Sequence, residues 1–472
     1  MKAQRAATIV AIGVVLAAAP RAVSDTDPID AYIAAEMAAR RIPGLALAVA
    51  RDGAIVRTSY YGLANVELGV PVGERSVFAI ASLDKQLTAA GLMRLVEMGK
   101  VSLDDRVDKY VDGPWDSIRV RHLLSHTSGL PDQVAGSLEG RAAFTYTTDQ
   151  LLATVRTLER VDPPGERFLY SDANFFLAQL VTERASGRSW REFIGQEIFT
   201  PAGMTGATFM DAEIIRPGRV SPYTLDRTGT LLRNPSRDID YGPLYNDLGM
   251  TVRDFASWLL ALDTDRPLAA STRETMWTPA RLSDGSVATM SEQWRHYGFG
   301  FGLDEVFGRR VVLHSGFVGV GYVKFPEERL SVVVFTNLRH GAGSDPIGLA
   351  YGVAGFYAPA ISFLAREPVA SDRSDPRTAA LRGEYERLLA GEPSTKQWAP
   401  VSRRASWEAA AGLASRMNRL GSLLAFEPLG FERQPDGAQR ALFRARHERG
   451  RVFVRVGLNA AGSIVELQWY HV

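Results

Sequence analysis

The spacing of apolar residues along this chain changes period twice. From Asp27 to Arg41, Ile29, Tyr32, Ile33 and Met37 recur at helical intervals, which predicts an amphipathic helix. Leu45–Arg51 and Ala54–Tyr61 then read as strands joined by Asp52-Gly53, a pair that tolerates positive φ and marks a hairpin. Between about Ser82 and Leu262 the pattern is mostly helical, with helices predicted at 82–99, 148–158, 172–186, 190–198 and 252–262. Strand patterns return at Tyr297–Asp304, Arg309–Leu313, Gly319–Phe325 and Leu330–Thr336. The last contains Val332-Val333-Val334-Phe335, a run suited to a buried strand.

Strands at both ends of a helical middle predict an α/β (α+β) fold, in which one antiparallel sheet is assembled from both chain ends. Short connections among the late strands favour antiparallel pairing. A cleft between that sheet and the inserted helical region is the expected pocket. The polar, Pro-bearing stretch 366–376 reads as a linker. Beyond it, helical patterns at 377–390 and 405–419 precede three or four strands. In the clearest of these, Val452, Val454, Val456 and Leu458 alternate with Arg451, Phe453 and Arg455. The expected division is therefore a leader (1–24), a main domain (25–365), the linker, and a small α+β unit (377–472) without a chemical cluster of its own.

The 472 residues carry a net charge of +1, which offers no electrostatic footprint for nucleic acid. Lys2 and Arg5 precede an apolar run from Ala6 to Ala19 and the small residues Ala22-Val23-Ser24, the pattern of a secretory signal. The run is too short and too Ala-rich for a stable membrane span, so the expectation is an exported, periplasmic or secreted protein. There is no cysteine, which excludes disulfides, thiolate metal sites and a cysteine nucleophile. The histidines show no metal-ligand spacing, and no metal or cofactor is expected. His122 and His126, four apart, fall in what reads as a loop.

Candidate chemistry centres on Ser82-Leu83-Asp84-Lys85. Residues three apart on a helix share a face, so Ser82 Oγ and Lys85 Nζ can meet. An adjacent amine can activate a serine hydroxyl, and a helix N-terminus favours developing negative charge. The chain has only six lysines, and no other has a serine three residues before it. Three more stretches bear on the site: Leu123-Leu124-Ser125-His126-Thr127-Ser128-Gly129-Leu130, Tyr170-Ser171-Asp172 leading into a helix, and His314-Ser315-Gly316-Phe317 at a strand end. Taken singly, His126 reads as a structural loop histidine, Tyr170 as a packed aromatic and His314 as a surface or capping residue. Gly298-x-Gly300-x-Gly302 lies in a strand pattern and is no phosphate cradle.

Together, in this order, these motifs resemble the serine β-lactamase and penicillin-binding-protein superfamily, and most closely its class C β-lactamase-like branch. The resemblance covers roughly residues 28–360. It implies that Ser82 is acylated, that Lys85 and Tyr170 share the base role, and that the backbone N–H groups of Ser82 and Phe317 form the oxyanion hole. Asp172, His314, Ser315 and Gly316 would line the substrate pocket, with His314 bonded to Tyr170 or to substrate. Two positions depart from the family pattern. His314 stands where many members have lysine, which weakens carboxylate recognition. Asp172 stands where the family has asparagine, which favours a charged Lys85 and leaves more of the base role to Tyr170. The expected activity is cleavage of an ester or short amide. The alternatives are a D-Ala-D-Ala-type carboxypeptidase or aminopeptidase, a weak β-lactamase, or a non-catalytic peptide or peptidoglycan binder. Oligomeric state is left open.

Overall fold

The computed structural model describes residues 27–132, 146–211, 214–226, 228–234, 248–289, 296–394, 396–399, 420–433, 437–448 and 450–470. The expected leader and the expected 405–419 helix lie outside these residues.

The sheet is assembled from both chain ends, as its strand patterns predict. Gly44–Arg51 pairs on one side with Ala54–Asn65 and on the other with Leu330–Thr336, all antiparallel. From there the sheet continues through Val320–Phe325, Arg309–Gly316 and Gly302–Val306 to a short edge strand at His296–Tyr297. Its central strands read as unbroken apolar runs because both faces are covered. Val333 and Phe335 point into the core formed with the inserted helices, whereas Val332 and Val334 face the Pro28–Arg40 and Pro346–Tyr357 helices.

The helical middle follows the predicted pattern closely. Helices run Asp84–Glu97, Thr148–Arg156, Asp172–Ser186 and Val252–Ala261. The 190–198 segment is a short α-turn, Trp190–Ile194, that passes into a π-helical turn. The expected 297–304 strand is split, with Gly298–Phe301 turning between Tyr297 and Gly302. The reason is steric: a side chain at Gly298 would overlap the Met276 carbonyl. One at Gly300, held at φ +80°, would come within 2.8 Å of the Lys85 carbonyl. The triple-glycine stretch thus lets the sheet edge approach the serine-bearing helix. His122 belongs to a five-residue helix, Val120–Leu124, and not to the loop expected for it.

The C-terminal unit packs the Pro376–Leu389 helix on a four-stranded meander, Leu423–Arg433, Gln439–His447, Gly450–Leu458 and Ile464–Tyr470. Val452, Val454, Val456 and Leu458 fill its own core, while Phe453 on the opposite face joins the core of the main sheet. Around Phe453, Arg455 donates to Asp304 Oδ1 at 2.6 Å and Tyr470 OH donates to Asp304 Oδ2 at 3.0 Å. In the 366–376 stretch, Val369 N donates to the Pro428 carbonyl at 2.9 Å, so this segment is fastened to the meander.

Candidate active site

Ser82 is presented by a short, sharp turn. Phe78–Ala79 pairs with Leu248–Met250, and Ile80 N donates to the Leu248 carbonyl at 2.9 Å. The chain then bends through Ala81, whose φ of +45° is a left-handed value that costs a side-chain-bearing residue about 1 kcal/mol or more. A 3₁₀ turn, Ala81–Leu83, runs directly into the Asp84–Glu97 helix. Gly316 packs against this bend: a side chain there would meet the Ile80 carbonyl at 2.5 Å and Val320 Cγ2 at 2.8 Å.

The expected pairing forms. Lys85 Nζ lies 3.3 Å from Ser82 Oγ, and the lysine side chain is buried. Asp172 Oδ1 lies 2.6 Å from the same ammonium, with Asp84 Oδ1 at 4.0 Å. Burial works against the charged lysine, but the Asp172 carboxylate, with Tyr170 and Asp84, outweighs it and holds the amine well above the usual lysine range.

Tyr170 comes from the segment just before the Asp172–Ser186 helix, and its hydroxyl lies close enough to the Ser82 and Lys85 side chains for both to favour its ionised form. Lys85 Nζ also sits 5.2 Å from the Tyr170 ring centre. Burial pushes the phenol above its ordinary value, and the nearby ammonium only partly reverses this. At neutral pH the resting site therefore holds Tyr170 as a phenol and Lys85 as an ammonium. Asp172 N donates to Asp132 Oδ1 at 3.0 Å. Asp132 has an exposed edge, yet crowding by protein and by the Asp172 charge pushes its carboxyl up to about 6.

The third segment is the end of the Arg309–Gly316 strand. His314 has no exposed surface. Its Nδ1 lies 2.9 Å from the Ser315 carbonyl and its Nε2 lies 3.1 Å from Tyr297 OH. A carbonyl can only accept, so Nδ1 carries the proton and Nε2 accepts from Tyr297. Burial pushes the imidazole down to about 3.

Residues 29–353 match the model of the Beta-lactamase family. The chain belongs to that family. Among curated relatives it is 28% identical over 310 residues to penicillin-binding protein 4* of Bacillus subtilis, covering 61% of this chain and 66% of that one. It is 27% identical over 452 residues to a D-aminopeptidase of Gluconobacter oxydans (90% and 78%) and 28% identical over 368 residues to esterase EstB of Burkholderia gladioli (68% and 93%). The octameric penicillin-binding protein homologue from Pyrococcus abyssi shares the fold at TM-score 0.60 and 24% identity, covering 91% of this chain and 89% of that one. As a member of the Beta-lactamase family, this chain is a serine hydrolase.

Within this family member, Ser82, Lys85 and Tyr170 converge as their motifs imply, and Asp172 sits on Lys85. Gly316 packs against the Ile80 and Ala81 bend that leads to Ser82, and the next residue, Phe317, is a third exposed. His314 departs from expectation. Because it is wholly enclosed, with its nitrogens turned to Tyr297 and Ser315, it cannot line an accessible pocket wall. Ser315 and Asp172 are themselves nearly buried. Asp132, Tyr297 and Gly300 had no local signal in the sequence, because each meets the site through long-range packing. His126 taken singly reads as structural, and the motif around it is the signal that marks its neighbourhood.

Proposed function

We propose that this protein is an exported hydrolase that cleaves an ester or a short amide through an acyl-enzyme on Ser82. The observation that carries this reading is the convergence of Ser82 Oγ, Lys85 Nζ and the Tyr170 hydroxyl, with Lys85 held as an ammonium by Asp172. In the reactive form Tyr170 has lost its proton, and the phenolate is stabilised by the Lys85 charge. Ser82 Oγ attacks the carbonyl carbon while its proton passes to Tyr170, and the oxyanion is met by the backbone N–H groups of Ser82 and Phe317. Collapse breaks the bond to the leaving group, which takes the proton from Tyr170. Water then attacks the acyl-enzyme with Tyr170 again as base, releasing the acid and restoring Ser82. The Tyr170 pKa lies above 10, so fewer than about one molecule in 10³ is in the reactive form at pH 7, and turnover rises with pH into the alkaline range.

Because His314 is enclosed as well as neutral, the third segment presents no charge from this position to pair with a substrate carboxylate, which supports a neutral ester or amide. A second reading, an aminopeptidase, is favoured by the exposed Asp132 carboxyl beside Asp172, which suits a substrate ammonium. Export is proposed from the signal-like pattern of residues 1–24.

Covalent labelling tests the core of this proposal. A fluorophosphonate should label the native protein and not Ser82→Ala, and labelling by the phosphonate but not by a fluorescent penicillin supports the esterase reading. Tyr170→Phe should lower kcat by far more than about 10²-fold. Undiminished labelling of Ser82→Ala, or near-normal turnover of Tyr170→Phe, overturns the mechanism.

A further inference from the structure

We infer that His126 is the positioning residue for Tyr170, gripping the tyrosine from both sides of the chain and across its ring. This rests on the reading that Tyr170 is the base. His126 O accepts from Leu169 N at 2.8 Å, and His126 Nδ1 accepts from Ser171 N at 3.2 Å. The residues immediately before and after Tyr170 are therefore both tied to one histidine. The His126 ring lies 4.2 Å from the Tyr170 ring, tilted by 31°, and Phe175 and Tyr297 close the other directions at 5.0 Å each. Asn174 Nδ2 approaches the same Nδ1 at 3.3 Å, while Asn174 Oδ1 accepts a bond from the Ser128 hydroxyl.

This arrangement fixes the tautomer. A nitrogen that accepts from a backbone N–H carries no proton, so the proton of the neutral ring sits on Nε2. Nε2 is buried against aromatic rings with no hydrogen-bond partner among the described residues. Such a donor costs about 1–3 kcal/mol, a cost that an aliphatic side chain would avoid. Burial, reinforced by the Lys85 and His314 neighbours, holds the imidazole well below its ordinary value, so the ring remains a neutral acceptor across the working pH range. The backbone points the same way. His126 sits at φ +55°, a left-handed conformation in which His, Asn and Asp are enriched among side-chain-bearing residues. That conformation lets one residue turn both its carbonyl and its ring toward the 169–171 segment.

The consequence is geometric. Tyr170 must hold its hydroxyl between Ser82 and Lys85, and a misplacement of about 1 Å at a reacting group costs on the order of 10²-fold in rate. His126→Asn keeps a residue suited to the left-handed backbone but loses the ring, whereas His126→Gln keeps an amide acceptor of greater reach. Each is made in the native background and in Tyr170→Phe, with folding checked by thermal melting and turnover followed on a p-nitrophenyl ester. In the native background kcat should fall about 10- to 100-fold with KM changed less than about 3-fold. In the Tyr170→Phe background the same substitutions should change kcat by less than about 3-fold, because the group being positioned is already gone. Equal fold-losses in both backgrounds, or normal kcat for folded His126→Asn and His126→Gln, overturn the inference. If Tyr170→Phe itself keeps near-native turnover, the mechanism fails first, and the two failures are told apart.

Discussion

Asp172→Asn tests the electrostatics of the site most directly. The lysine it faces is 3% exposed, and the lost carboxylate lies 2.6 Å away. At an effective dielectric of about 20, the gross attraction at this separation is on the order of 6 kcal/mol. Much of that is consumed by keeping an ammonium out of water, and removing one partner of a buried pair costs about 3–5 kcal/mol net. Asp84 remains 4.0 Å from Lys85, which sets the expectation at the low end, about 3 kcal/mol. For a chain of this length that is a drop of roughly 3 °C in Tm. The sign with pH follows from linkage. In the native protein the Lys85 pKa is raised, so its contribution to stability is complete below the unfolded value near 10.5 and is lost as pH rises through the folded value. In the variant the lysine is buried with a weaker partner, and the deficit is largest at pH 6 and shrinks above pH 10. With the Asp172 charge gone, Tyr170 ionises more readily, so the rising limb of activity should also move to lower pH. The assays are thermal melts at pH 6, 8 and 10 and a pH–rate profile on an activated ester. If Asp172→Asn melts with the native protein at pH 6 and its rate profile superimposes, Asp172 does not set the charge of Lys85.

Three further outcomes are expected. Gly316→Ala should fold less stably and lose most of its kcat, since the new methyl meets the Ile80 carbonyl at 2.5 Å and pushes on the bend that carries Ser82; unchanged kinetics would show that the bend is compliant. Urea denaturation should show stability falling between pH 8 and pH 5, because burial holds His314 near 3 and His122 near 4, so that the unfolded chain binds protons first. Each contributes about 2 kcal/mol at pH 5, Asp132 offsets part of this, and a flat profile would contradict the burial of these rings. Arg455→Ala removes the cation facing the buried Asp304, leaving it the Tyr470 hydroxyl and the Glu305 amide as donors, and should cost about 3 kcal/mol. Limited proteolysis should then cleave the C-terminal meander sooner, and an unaltered digestion pattern would show that the pair is not what fastens it.

What the sequence disclosed was whatever is local or periodic. Ser82 and Lys85 are one turn apart, so their meeting needs only a helix. The Leu330–Thr336 strand carries its burial in its composition. The family resemblance supplied Tyr170 and the third segment, which spacing alone did not. Contacts such as His126 to Ser171, 45 positions apart, exist only once the inserted helices are packed. The same holds for the enclosure of His314. A histidine at a strand end reads as a surface group, and it is the cover provided by Tyr297 and its neighbours that removes it from water. The alternation in Gly450–Leu458 identified one buried face, whereas the opposite face, with Phe453 and Arg455, is buried by the main sheet and gave no sign of it.

The way the sheet closes has a bearing on biosynthesis. Gly44 N reaches across 293 positions to Asn337 Oδ1, and the Phe317 amide belongs to the late half of the chain as well. A nascent polypeptide halted before the final sheet strand owns its nucleophile but has no wall for it to face. Contacts this distant in sequence form slowly, so the enzyme should stay silent through nearly all of its own synthesis and acquire reactivity in one late step.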